Sequence, residues 1–288
     1  MTDADKEVNV SGRSRSYRLF HHAVDRIREL LRAALSGITW SQQRLEQLLA
    51  TIARAKAAVP GPNSSNQDDT VRVSFTEEQL ELIQVVATNF QERIIGRLDF
   101  HLNEVILVAL WSGLESYLQG IVEQVYAQNP SALATDKTIR YRELLSGDAQ
   151  VVPLLISREV NHFGRLSIGE MRKYIKRRLL YEFGNQERAV LDDAYLLRNI
   201  VVHNSGFVRL DQQARLPAAV EVRDNMLQIP KDYIEATINS FEGIVERMDN
   251  YLVERWNIPA ATDALFKELS LVLGTNQESV EPSQTIGK

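Results

Sequence analysis

Leu102-Asn-Glu-Val-Ile-Leu-Val-Ala-Leu-Trp-Ser-Gly-Leu-Glu-Ser-Tyr-Leu118 decides the fold. Val105, Ile106, Val108, Ala109, Leu110, Trp111, Leu114, Leu118, Ile121 and Val122 leave a helix over Leu102–Val125 apolar on nearly every side around Val105–Trp111. A helix without a polar face belongs at the centre of a bundle. Asn129-Pro130 ends it, because proline cannot continue a helix.

Upstream, Phe20, Val24, Ile27, Leu31, Ala34 and Ile38, then Leu45, Leu48 and Ile52, recur in steps of three and four within Tyr17–Ala58, the spacing of an amphipathic helix. Gly37 with Thr39 predicts a break into two helices, giving a hairpin or a kinked arm. Arg13, Arg15, Arg18, Arg26, Arg28 and Arg32 are expected on its outer side. Pro60–Asp69 has the composition of an exposed linker. A short extended piece at Val71–Phe75 and a capping box at Thr76-Glu-Glu-Gln79 follow, opening a helix to about Ile95 that Gly96 interrupts.

Downstream, Pro153 forbids one continuous helix over Ala134–Gly164. Ser167-Ile-Gly-Glu170 is a second capping box. Asn185 can cap a helix from Gln186 to His203, with Gly206 placed for a left-handed C-terminal cap. Phe207–Leu210 and Met226–Ile229 are expected to pair as a hairpin. Pro230 opens a last helix with the stripe Ile234, Ile238, Phe241, Val245, Met248 and Leu252. The polar Thr275–Lys288 reads as a disordered tail. The expectation is an all-α antiparallel helical bundle with a small β-hairpin, preceded by an N-terminal helical arm: residues 1–59 the arm, 60–70 the linker, 71–258 the helical domain, 259–288 a short helix and tail. There is no internal repeat.

Composition narrows the function. The chain has 288 residues, 44 % hydrophobic and 25 % charged, which is ordinary globular usage. With no cysteine, disulfide scaffolds, thiolate metal sites and cysteine nucleophiles are excluded. No uninterrupted apolar stretch reaches the roughly 18–20 residues of a membrane span, and Met1–Val10 is too polar for a signal peptide. A cytoplasmic protein away from membranes is the expectation. The net charge of −5 argues against a surface coated in basic charge, although residues 1–60 alone carry +4. Phosphate-loop, dinucleotide-binding, nucleophile-elbow and zincin motifs are all missing. His21, His22 and His101 have no companions at metal-ligand spacing, and Glu159-Val-Asn-His162 occurs once where a di-iron bundle needs two copies. Neither a metal nor a cofactor is expected.

What remains is Leu197-Arg-Asn-Ile-Val-Val-His-Asn-Ser-Gly206. Arg198, polar Asn199, three apolar residues and His203 near a helix end resemble the Arg–polar–x(3–5)–His motif of the HEPN superfamily. The apolar helix with Trp111-Ser-Gly-Leu-Glu-Ser-Tyr-Leu118 resembles the helix beside that motif. The His-Asn-x-Gly exit into a hairpin and a long final helix is similar too. The resemblance covers roughly Ser74–Trp256. It implies a HEPN-type bundle and a metal-independent endoribonuclease whose active site is a composite cleft in a homodimer. Its prokaryotic setting would be toxin–antitoxin or anti-phage defence, with an antitoxin or other regulatory protein restraining it through the N-terminal arm. The alternative is a non-catalytic dimer that scaffolds or senses within a defence or regulatory complex.

Metal-free RNA cleavage uses the neighbouring 2′-hydroxyl as nucleophile and leaves a 2′,3′-cyclic phosphate and a 5′-hydroxyl. It needs a proton carrier near neutral pH, the role of His203. It also needs a fork-shaped permanent cation on the phosphate, the role of Arg198, with Asn199 orienting. Glu115, mid-helix among apolar residues, needs a partner; Arg198 is the natural one, and Asn204 stands behind the same site. Each residue also has a plain reading: His203 capping carbonyls, Arg198 pairing with Asp192, Asp193 or Glu115, the asparagines as caps. Arg172, Lys173, Tyr174, Lys176, Arg177 and Arg178 form a flank that either docks an RNA backbone or is a solvated, acid-paired face. On an ideal helix, Arg198 and His203 lie about 140° apart and about 7.5 Å along the axis. A single helix does not focus both on one phosphate, whereas a two-fold copy of it would.

Overall fold

The computed structural model describes residues 12–57, 77–90, 96–133 and 151–261. They form α1 (Arg15–Ala57), α2 (Glu77–Phe90), α3 (Gly96–Gln128), α4 (Val151–Phe163), α5 (Ile168–Tyr174) running into a π-helical turn (Ile175–Leu179), α6 (Asn185–Asn204), α7 (Leu210–Gln213), the strands β1 (Glu221–Arg223) and β2 (Met226–Gln228), and α8 (Lys231–Trp256). The capping box at Thr76, the piece at Val71–Phe75, the linker and the tail lie outside the described residues.

Helix α3 is the axle. Leu107, Leu110, Trp111, Leu114, Ile121, Val122 and Val125 are completely buried, because α1, α4, α6 and α8 all pack against it. Among the described residues, Phe100–Gln128 is one helix long and apolar enough to cross a membrane; half of it is buried against those four neighbours.

Contacts along α3 give the directions of its neighbours. Trp111 meets Tyr195 (ring centroids 5.3 Å apart) and Glu104 meets Gly206, so α6 runs antiparallel. Asn103 donates to the Ile229 carbonyl (2.8 Å), Trp111 touches Phe241 and Asn129 donates to the Trp256 carbonyl, so α8 runs parallel. The expectation of an antiparallel bundle therefore holds only in part. Reversal through the hairpin makes α8 antiparallel to α6, and so parallel to α3. All six residues of the α8 stripe are buried, as their spacing requires.

Three local expectations are corrected. Gly37 does not break α1, which is one helix of 43 residues. Glycine costs a helix only about 1 kcal/mol relative to alanine, and burial of Ile38 together with the Ser41 hydroxyl donating to the Gly37 carbonyl (2.9 Å) holds the turn. Helix α6 starts one residue earlier than expected. Gly184 is its N-cap, and the Glu187 carboxylate accepts the Gly184 N–H (2.7 Å). The hairpin pairs Glu221–Arg223 with Met226–Gln228. Phe207 makes a single bridge to Met226, and Leu210–Gln213 is helical.

The first half of α1 is no appendage. Tyr17, Phe20, Val24, Ile27 and Leu31 belong to the same core as α3. Arg13 and Arg28, expected on an outer surface, point into the seam with α8. Arg28 makes a two-pronged pair with Glu242 (2.6 Å each), and Arg13 reaches Glu246 (2.9 Å) and Asn250. Fully buried Asp249 accepts from the Ser14 hydroxyl and backbone, tying the start of α1 to the end of α8. Burial pushes the Asp249 carboxyl up, against the two hydrogen bonds from Ser14 and the charge of Arg13, which lower it.

Candidate active site at the end of helix α6

Leu191, Ala194, Leu197 and Ile200 anchor α6 in the core. This fixes the azimuth of the residues between them. Arg198 and Asn199 are half-buried, Val202 and His203 exposed. The helix ends abruptly. Ser205 (φ 51°) and Gly206 (φ 80°) both turn left-handed, and the Gly206 N–H returns to the Ile200 carbonyl (3.2 Å). The Gly206 carbonyl then accepts from Leu227, and Val208 donates to the Asn225 carbonyl, so the hairpin clamps the exit. A Cβ at Gly206 would stand 2.8 Å from Glu104 Oε1. Glycine is required there on both counts.

The Arg198 Nη1 donates to Asn199 Oδ1 (3.0 Å), while its Nε is buried without a hydrogen-bond partner. Among the described residues it makes no ion pair. The expected contact with Glu115 is not made: Glu115 is only half-buried, so water relieves the need for a partner that would bind a sealed carboxylate. Neither of the other proposed partners pairs with Arg198. Asp192 takes Arg172 (2.8 Å). Asp193 lies near Tyr233, and burial and the neighbouring Asp192 raise its carboxyl above the ordinary range. Burial, reinforced by Asp193, pushes the Tyr233 hydroxyl up to about 12. Asn204 donates to Gln212 Oε1 (3.4 Å), linking α6 to α7 rather than reaching Arg198.

The basic flank divides. Arg172 is paired with Asp192 and Lys176 with Glu182 (2.8 Å), whereas Tyr174 is buried and its hydroxyl donates to Glu159 (2.7 Å). Arg177 gives its Nε to the Lys173 carbonyl. Lys173, Arg177 and Arg178 are exposed and, among the described residues, carry no salt bridge. Lys176, Arg177 and Arg178 all lie in the π-helical turn.

Arg198 and His203 thus stand apart on one helix. Two grooves lie elsewhere, about 440 Å³ along α1 beside Arg32 and Trp40 and about 230 Å³ between α1 and α8. The surroundings of the motif are apolar and open: Val202 is 45 % exposed, Phe207 47 %, Leu210 89 % and Val105 on the facing turn of α3 65 %. One pair escaped the sequence reading. His101 Nδ1 lies 3.1 Å from Glu104 Oε2, at the end of α3 that abuts Gly206. The i,i+3 spacing His101-x-x-Glu104 is its signal in the sequence. Among the described residues no three His, Asp or Glu side chains converge as a metal site.

Set against protein-family models, curated proteins and solved structures, the chain matches none.

Proposed function

We propose that this chain is a HEPN-type metal-independent endoribonuclease that works as a homodimer. Arg198 clamps the scissile phosphate, His203 carries a proton, and Asn199 holds the guanidinium in place. The observation that carries this reading is an arginine free of any carboxylate among the described residues, five residues before an exposed histidine. A half-buried guanidinium is ordinarily held by a carboxylate, and this one keeps nitrogens for an oxyanion. The exposed Val105, Val202, Phe207 and Leu210 surround the motif with the apolar surface that a second copy needs. An isologous contact there brings two copies of α6 together, supplying Arg198 and His203 to a shared cleft. The setting is a prokaryotic toxin–antitoxin or anti-phage system in the cytoplasm. An antitoxin or regulatory protein would grip the α1–α2 arm, where Trp40, Leu48 and Leu82 are exposed.

The divergence of Arg198 and His203 on one helix favours a second reading, a catalytically silent dimer that scaffolds or senses in such a complex. One experiment separates the two. Purified protein is incubated with total RNA in EDTA, and the ends are mapped. The nuclease gives 2′,3′-cyclic phosphate and 5′-hydroxyl ends. His203→Ala and Arg198→Ala then each lower the rate by at least about 10²-fold with unchanged thermal midpoints. Cleavage by both variants at the wild-type rate would leave the scaffold.

A further inference from the structure

We propose that His101, backed by Glu104, is the general acid of this site and protonates the 5′-oxygen that leaves, an inference that rests on the ribonuclease reading above. The pair is built as a proton-delivering unit. The His101 ring is 60 % exposed while the Glu104 side chain is only 10 % exposed. A carboxylate accepts and does not donate, so at 3.1 Å the hydrogen sits on Nδ1 and Nε2 is the nitrogen offered to a ligand. Glu104 itself lies against the backbone of the α6 exit. Its Oε1 occupies the space that a side chain at position 206 would fill, and the adjacent Asn103 is pinned by its bond to the Ile229 carbonyl.

That contact places the pair. Gly206 follows His203 by three residues, inside the turn that the Gly206–Ile200 hydrogen bond closes. Two exposed imidazoles therefore stand at the same end of the bundle, one on α3 and one on α6, with the Glu104–Gly206 contact between their supports. Among the described residues no other histidine lies on the elements that build this end.

The chemistry calls for two such groups. The 2′-oxygen bonds to phosphorus as it loses a proton, and the bond from phosphorus to the 5′-oxygen breaks as that oxygen gains one. The two protons are different, so a base and an acid must act together. A carboxylate behind the ring balances the charge of an imidazolium, the form that gives a proton away. His203 has no acidic side chain bonded to it among the described residues, and its neutral ring is the form that takes one. Arg198 meets the charge that builds on the non-bridging oxygens.

The test uses the full chain in EDTA and two versions of one short RNA, the natural one and one with sulfur in place of the 5′-bridging oxygen at the cleaved linkage. A thiolate leaves without being protonated, so this substrate has no need of the acid. His101→Ala is expected to cut the natural RNA about 10²–10⁴-fold more slowly, to bind it as the wild type does, and to cut the sulfur substrate at the wild-type rate. Glu104→Gln, which keeps the volume of a buried side chain, should show the same pattern with a smaller loss, about tenfold, as expected when an orienting partner of a catalytic histidine is removed. His203→Ala should fail on both substrates. His101→Ala cutting natural RNA at the wild-type rate, while His203→Ala does not, overturns the inference and leaves the ribonuclease reading standing. Slow cleavage of both substrates by His101→Ala overturns the acid role. No cleavage by the wild type, or full cleavage by His203→Ala, overturns both.

Discussion

Two half-buried arginines on this fold are used in opposite ways. Arg28, on α1, gives a two-pronged pair to Glu242 of α8 at 2.6 Å. Its guanidinium is bound harder than an ordinary one, first by that hydrogen bond and against the cost of burial. Among the described residues Arg198, on α6, bonds only the amide oxygen of its neighbour, and its Nε is sealed without a partner. The first closes a seam and has nothing left for a ligand. The second costs the fold something, since a buried donor without an acceptor is worth about 1–3 kcal/mol of lost stability. On the ribonuclease reading, the α1–α8 seam and the α6 end divide the polar chemistry between holding the chain together and meeting a substrate.

The sharpest way to break this comparison is to measure both sides of it by urea unfolding. Glu242→Ala strands Arg28, and stability should fall by about 1.5–3 kcal/mol with no change in the denaturant slope. Arg198→Ala removes an unsatisfied donor and should not lower stability. Were Arg198→Ala to cost as much as Glu242→Ala, Arg198 would be a structural residue and the ribonuclease reading would lose its carrier.

The same contrast explains what the sequence disclosed. Core stripes were legible because they depend on local period alone. Ile234 to Leu252 on α8, Phe20 to Leu31 on α1 and, Val105 and Ala109 apart, the apolar faces of α3 ended up against the core. The Ser167–Glu170 capping box was legible for the same reason, being closed within four residues. The direction of α8 and the fates of Arg13 and Arg28 were not legible. Both depend on pairs more than 100 residues apart, such as Arg28 with Glu242, for which single-chain spacing carries no signal. Glu115 shows the limit from the other side. It sits mid-helix among apolar residues, but its azimuth reaches water, so its expected arginine is not needed. The His101–Glu104 pair was legible in principle, since i,i+3 residues meet on any helix.

A smaller effect sharpens the seam itself. His21 packs against Tyr17, and burial lowers its tendency to take a proton, opposed by the carboxylates of Glu242, Asp25 and Glu246 and aided by Arg28. Its folded-state pKa therefore lies below the unfolded value of 6.5. Between the two, the unfolded chain holds a proton that the folded chain does not, so stability rises with pH. This contribution is complete above 6.5 and is lost as the pH falls below it. Thermal midpoints measured from pH 5.5 to 7.5 (about one unit to either side of a free histidine) should climb for the wild type and climb less for His21→Gln. Parallel curves would mean that His21 is proton-silent in the seam.

The weakest effect tests whether the logic of spent and spare cations extends to the flank of α5. Arg172 already has Asp192 at 2.8 Å, while Arg178 is exposed and, among the described residues, free of salt bridges. A cation facing solvent releases a counterion when it meets a phosphate; one already neutralised by a carboxylate has little to release. With an RNA oligonucleotide and the His203→Ala protein to prevent cleavage, Arg178→Ala should reduce the slope of log affinity against log salt by about 1. Arg172→Ala should leave that slope nearly unchanged. Equal slopes for the Arg178 variant and its parent would place the RNA path away from the π-helical turn, and the three free cations there would be no more than a solvated surface.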